Sequence, residues 1–91
     1  MIRDEMTSTA IKFYSTTWCG DCVRSRSVLS RYPIEVEHID IDERPEAAQV
    51  VLELNKGRRS VPTIVFPDGA VLTEPRNSVL EEKVRQFLKL D

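Results

Sequence analysis

Residues 10–22, Ala10-Ile11-Lys12-Phe13-Tyr14-Ser15-Thr16-Thr17-Trp18-Cys19-Gly20-Asp21-Cys22, decide how the rest of the chain is read. Ala10 to Tyr14 is rich in strand formers and runs straight into a hydroxyl-bearing loop suited to receive a helix start. From Cys22 onward the less polar positions are Cys22, Ser25, Val28, Leu29 and Tyr32, a helical spacing with arginines on the other faces, and Pro33 stops the run. A strand therefore hands over to a helix at the chain's two cysteines. Their spacing matters because one helical turn brings i and i+3 onto one face, at a Cα separation within the roughly 4.4–6.8 Å window of a disulfide. With Cys19 at the helix start, unpaired backbone N–H groups and the positive end of the dipole favour its thiolate. Cys19 then attacks a disulfide sulfur, and Cys22, deeper and less exposed, resolves the mixed disulfide. A structural staple explains the pair poorly, because closing so short a loop removes little unfolded-state entropy. Zinc is no better served: beyond the two cysteines only His38 and carboxylates remain as donors, so no metal site is expected.

Working outward, Ile34-Glu35-Val36-Glu37-His38 alternates as a half-buried strand, and the phase slips at Ile39-Asp40-Ile41 through a bulge or the end of the strand. A second helix starts between Asp42 and Pro45, carries Ala47, Val50, Val51 and Leu54 on one stripe, and has Gly57 as its C-terminal cap. Thr63-Ile64-Val65-Phe66 and Ala70-Val71-Leu72-Thr73, joined by Pro67-Asp68-Gly69, read as an antiparallel hairpin. Ser78-Val79-Leu80-Glu81 has the form of a capping box, followed by a stripe of Leu80, Val84, Phe87 and Leu88. The order β-α-β-α-β-β-α predicts an α/β fold with a four-stranded mixed sheet and three helices. Its first two strands are parallel through a right-handed crossover. Residues 1–9 read as a frayed polar tail, leaving residues 10–91 as a single domain.

Composition removes several functions. Of the 91 residues 13 are basic and 15 acidic, so a phosphate-tracking surface, and with it a nucleic-acid partner, is not expected. The apolar runs are only a few residues long, against about 20 for a membrane span, so no membrane partner is expected either. The first residues show no apolar signal region, which makes the cytoplasm the default location. A monomer is expected.

The run from Phe13 to Cys22, followed about forty residues later by Ser60-Val61-Pro62-Thr63, resembles the glutaredoxin family of the thioredoxin fold, and within it the mycoredoxins and related glutaredoxin-like proteins. The likeness spans Ala10 to Leu90. It implies a thioredoxin-like fold, Cys19 as the attacking thiol and Cys22 as the resolving one. It also implies a cis Pro62 facing the disulfide, with Val61 offering its backbone to substrate and Thr63 beside them meeting substrate. Without the cysteines, Pro62 would read as a trans proline opening an edge strand. The activity implied is that of a thiol-disulfide oxidoreductase, reducing mixed disulfides of a low-molecular-weight thiol or protein disulfides. Such an enzyme needs no bound cofactor; its partners are a small thiol, disulfide-containing proteins and a flavoprotein reductase. Alternatives within the family are an iron-sulfur cluster-binding module and an electron donor to ribonucleotide reductase via a thioredoxin reductase.

Two departures from the family pattern bear on the thiol. Many glutathione-using members carry a lysine where this chain has Thr16, and a Gly-Gly-x-Asp-Asp-like segment where it reads Thr73-Glu74-Pro75-Arg76-Asn77-Ser78. Mycothiol is thereby expected ahead of glutathione as reductant. Inside the motif, Gly20 permits close approach of substrate, and the charge of Asp21 opposes ionisation of Cys19. Arg58 and Arg59 either clamp a carboxylate of the thiol or substrate, or simply solubilise the loop. Trp18 shields the sulfur, offers a contact face, or packs within its loop. His38 reads as a strand side chain, and Arg24, Arg26 and Arg31 as a solvated helix face.

Overall fold

The computed structural model describes residues 10–89. It shows β1 (Ile11–Ser15), α1 (Gly20–Leu29), β2 (Val36–Asp40), α2 (Pro45–Leu54), β3 (Thr63–Val65), β4 (Val71–Thr73) and α3 (Asn77–Leu88), the element order expected from the sequence. The sheet runs β2-β1-β3-β4. β1 pairs parallel with β2 and antiparallel with β3, and β3 pairs antiparallel with β4. The tail expected over residues 1–9 lies outside the described residues.

Both faces of the sheet are covered. Ile11, Phe13 and Ile64 pack with Cys22, Val28 and Leu29 of α1 and with Leu80 and Val84 of α3, while Tyr14, Ile39 and Ile41 pack with Ala47 and Val51 of α2 on the other side. This layering explains the phase slip in β2. Ile34 and Val36 contact the first cluster, and Ile39 and Ile41 belong to the second. Pairing with β1 is continuous from Ile11–Val36 to Ser15–Asp40. No bulge interrupts the strand; its apolar residues change from one buried face to the other, as a period of two allows.

Several boundaries differ from the sequence reading. α1 begins at Gly20 with Cys19 as its N-cap in extended conformation, the helix start expected there, but it ends at Leu29, well before Pro33. There, i→i−3 bonds from Arg31 and Tyr32 to Val28 and Leu29 tighten the chain out of the helix. α2 is capped by Asn55, and Lys56 and then Gly57 both take positive φ, so that the Gly57 N–H reaches the Leu52 carbonyl at 2.7 Å. The glycine is thus the second of two left-handed residues in the reversal. α3 starts two residues earlier than a capping box at Ser78 implies, and its N-cap Arg76 makes no side-chain cap bond. Asn77 instead accepts a 2.6 Å bond from the Arg24 guanidinium, tying α3 to α1. Among the described residues, no helix is long and apolar enough to cross a membrane.

Candidate active site

The β1–α1 turn delivers Cys19 to the start of the helix, where its Sγ accepts the backbone N–H of Cys22 at 3.1 Å. A sulfur thus occupies the place that a Ser or Asp oxygen usually takes in an N-cap. Cys19 is partly exposed, whereas Cys22 is fully buried in the larger apolar cluster; both are free thiols. Burial, followed by a hydrogen bond with the Cys19 sulfur, pushes the Cys22 thiol up to about 12, against the opposing pull of the Thr16 backbone and the weaker one of the Arg26 charge. Cys22 is therefore protonated at neutral pH. Of the two sulfurs, the one that substrate can reach is also the one placed at the helix start, so Cys19 has the geometry of the first nucleophile.

On the other side of this sulfur lies the loop before β3. The Val61–Pro62 bond is cis, and the Cys19 thiol donates to the Val61 carbonyl at 3.7 Å. Four hydrogen bonds brace the loop from behind. Thr63 Oγ1 reaches back across the Val61–Pro62 unit to the Ser60 carbonyl (2.8 Å), and the Glu74 N–H donates to the Pro62 carbonyl (2.8 Å). Asn55 donates to Thr63 Oγ1 (3.0 Å) and accepts from Thr73 Oγ1 (2.6 Å). The Thr63 side chain, expected to meet substrate, is fully buried and instead holds the loop in place.

Trp18 is 69% exposed and so is not packed within its loop. Its indole N–H donates to Asp42 Oδ2 at 2.9 Å, and the Arg59 guanidinium binds Asp42 Oδ1. Arg59, and to a lesser degree the indole N–H, hold the Asp42 carboxyl below the usual carboxylate range. Arg59 is thus engaged within the chain, whereas Arg58 lines a surface groove with Asn55, Ser60 and Thr73. Asp21 pairs with Arg24 at 3.2 Å, so its charge is partly compensated beside the sulfur. A Cβ on Gly20 would meet nothing within 4 Å, leaving that side of the motif open to substrate. Thr16 is buried and presents no cation to the mouth.

The arginines assigned to a solvated face do more than that: Arg24 bridges to Asn77, Arg31 pairs with Glu81, and Arg26 lies over the Phe13 ring at 5.5 Å. His38 lies in β2 with its ring edge-on to Phe13, a strand side chain as expected. Asp42 and Asn55 escaped sequence reasoning. Asp42 looks like one more acid between a strand and a helix, and Asn55 like an ordinary helix-end residue; their partners lie in other loops. Among the described residues, no group of three or more His, Cys, Asp or Glu side chains assembles as a metal site.

The glutaredoxin family model matches residues 11–71, which include β1, both cysteines, the cis-proline loop and the start of β4. The chain is a member of the glutaredoxin family. This glutaredoxin is 37% identical over 79 residues to a Mycobacterium tuberculosis protein whose name assigns it provisionally to the glutaredoxins, a match covering 87% of this chain and 94% of that one. It is 38% identical over 66 residues to Mycoredoxin 1 of Corynebacterium glutamicum, covering 71% of this chain and 80% of the relative. Among solved structures, a glutaredoxin from Archaeoglobus fulgidus superposes with a TM-score of 0.66 at 26% identity, covering 98% of this chain and 97% of that one. The three helices and four-stranded mixed sheet are the thioredoxin-like fold of the glutaredoxins. The general chemistry of the family is thiol-disulfide exchange.

Proposed function

We propose that this glutaredoxin reduces mixed disulfides between a protein cysteine and a small uncharged thiol, mycothiol rather than glutathione, with Cys19 as nucleophile and Cys22 as resolver. The observation that carries this reading is the placement of the Cys19 sulfur between the Cys22 N–H and the cis Val61–Pro62 peptide. The Cys19 thiolate attacks the small-thiol sulfur of the mixed disulfide; the protein thiolate leaves, and the small thiol remains bonded to Cys19. Two routes then restore the enzyme. A second molecule of the small thiol attacks the outer sulfur and departs as the symmetrical disulfide, freeing Cys19. Alternatively, Cys22 attacks Cys19 Sγ and passes its proton to the departing thiolate, so that the enzyme becomes a disulfide and the small thiol is released reduced. That disulfide is reopened by two further thiol equivalents or by a flavoprotein reductase. The same Cys19–Cys22 couple serves protein disulfides, and the setting is the cytoplasm.

Preference for an uncharged thiol is supported by the cations at the mouth. Glutathione carries two carboxylates, which need free cations or backbone donors. Here Thr16 is buried, Arg24 is paired with Asp21, and Arg59 with Asp42. The name of the C. glutamicum relative points the same way. Turnover with mycothiol, glutathione and bacillithiol mixed disulfides of one peptide, measured side by side, tests the reading. Mycothiol should give the highest kcat/KM, and Cys19→Ser should abolish turnover of all three. Faster turnover with glutathione would overturn the thiol assignment, and activity surviving in Cys19→Ser would overturn the nucleophile.

A further inference from the structure

We propose that Asp42 is a specificity-determining residue that disfavours carboxylate-bearing thiols by occupying Arg59 beside Cys19. This rests on Cys19 being the attacking sulfur. Trp18 precedes Cys19 directly, and Arg59 lies two residues before Val61, whose carbonyl touches the sulfur. One carboxylate joins the two: Oδ2 takes the indole N–H and Oδ1 takes the guanidinium. The position of Asp42 is itself fixed. It follows Ile41, which is buried in the second core cluster and donates its N–H to the Ser15 carbonyl at 3.0 Å, and the Asp42 N–H is held by the Asp40 side chain at 2.8 Å.

An incoming carboxylate therefore meets a guanidinium that already has an anionic partner. To reach it, the ligand must displace Asp42, exchanging one exposed ion pair for another while leaving a second anion close by. An uncharged, hydroxyl-rich thiol pays no such penalty. The lone pairs that Asp42 has left can accept from its hydroxyls, and the tethered indole offers an exposed apolar face. Because its carboxyl titrates below the usual range, Asp42 keeps its charge throughout the physiological pH range.

Asp42→Asn tests the charge while keeping an oxygen for the indole N–H. The quantity read is the ratio of kcat/KM for a glutathione mixed disulfide to that for a 2-mercaptoethanol mixed disulfide of the same peptide. Exposed ion pairs are weak, so the ratio should rise roughly three- to fivefold in Asp42→Asn and return to the wild-type value in Asp42→Asn/Arg59→Ala. A ratio within a factor of about 1.5 of wild type, or a rise that persists without Arg59, overturns the proposal. A second measurement needs no turnover: S-methylglutathione is titrated against the fluorescence of Trp18, the chain's one tryptophan, in the Cys19→Ser background. Affinity should tighten by the same factor on Asp42→Asn, and unchanged affinity overturns the inference. Should the parent enzyme turn over neither of these nor a mycothiol mixed disulfide, the proposed function fails, and this titration still decides the role of Asp42.

Discussion

The most demanding prediction concerns the resolving step. With its thiol pushed up to about 12, Cys22 is ionised at pH 7 in only about one molecule in 100,000, whereas a free cysteine near 8.5 would be about 3% thiolate. That is a deficit of roughly 3,000-fold in nucleophile. A more basic thiolate attacks better, with a Brønsted slope of about 0.4–0.5, which recovers roughly 30- to 50-fold over the 3.5 units of difference. Resolution by Cys22 should thus run up to about 100-fold slower at pH 7 than resolution by an ordinary thiol in the same position. Burial is the largest cause of the shift and persists when Cys19 carries a substrate, although the hydrogen bond between the sulfurs does not. The assay is stopped flow: Cys19 is loaded with a fluorescent thiol, excess reagent is removed, and release is followed from pH 6 to 10 in the absence of added thiol. The rate should climb about tenfold per pH unit with no plateau below pH 10. A rate that levels off between about pH 9 and 9.5 would show that Cys22 titrates like a free thiol near 8.5 and would refute the argument. At neutral pH the added small thiol should outrun Cys22, so Cys22→Ser should retain turnover of small-thiol mixed disulfides while losing activity on protein disulfides.

Asn55→Ala removes the brace between α2, Thr63 and Thr73 and strips the buried Thr63 hydroxyl of a donor; a loss of about 1–3 kcal/mol is expected from the shift in urea midpoint. Leu80→Ala should cost about 2–5 kcal/mol in the same experiment, because Leu80 is fully buried where α3 meets the sheet. Asp42, held low chiefly by Arg59, and Asp68, held low chiefly by Lys83, have folded-state values depressed below their ordinary carboxylate values. Their contributions are present above about pH 4 and are lost as pH falls through the folded values, so the melting temperature should fall on acidification, by less in Asp68→Asn than in wild type. Raising the salt concentration should shrink that difference, because both pairs are exposed.

Much of this architecture can be read from local pattern. The stripe Cys22, Ser25, Val28 and Leu29 marks α1 because a helix with one buried face repeats every three to four residues, and all four are buried. Pro67-Asp68-Gly69 marks the hairpin because Gly69, at φ 93, supplies the left-handed residue the turn needs. β2 was harder: alternation signals one buried face, and a strand that serves both faces in succession imitates a bulge. The tie from Asp42 to Trp18 and Arg59, and that from Asn55 to Thr63 and Thr73, join loops brought together by the sheet order β2-β1-β3-β4, and no short window of sequence records such a meeting. The meeting of the cysteine turn with the proline loop was legible from the two motifs, whereas the groups that brace that loop and pair with Arg59 were not.

Cys22 also shares a cluster with Phe13, Val28 and Leu80, so one sulfur of the proposed couple is at the same time interior filling. Each catalytic cycle through the disulfide would rewrite a covalent link at the edge of that filling and expel a proton from a region shut off from solvent. Electron transfer and mechanical rigidity would thereby be coupled, and the oxidised form should be the stiffer of the two.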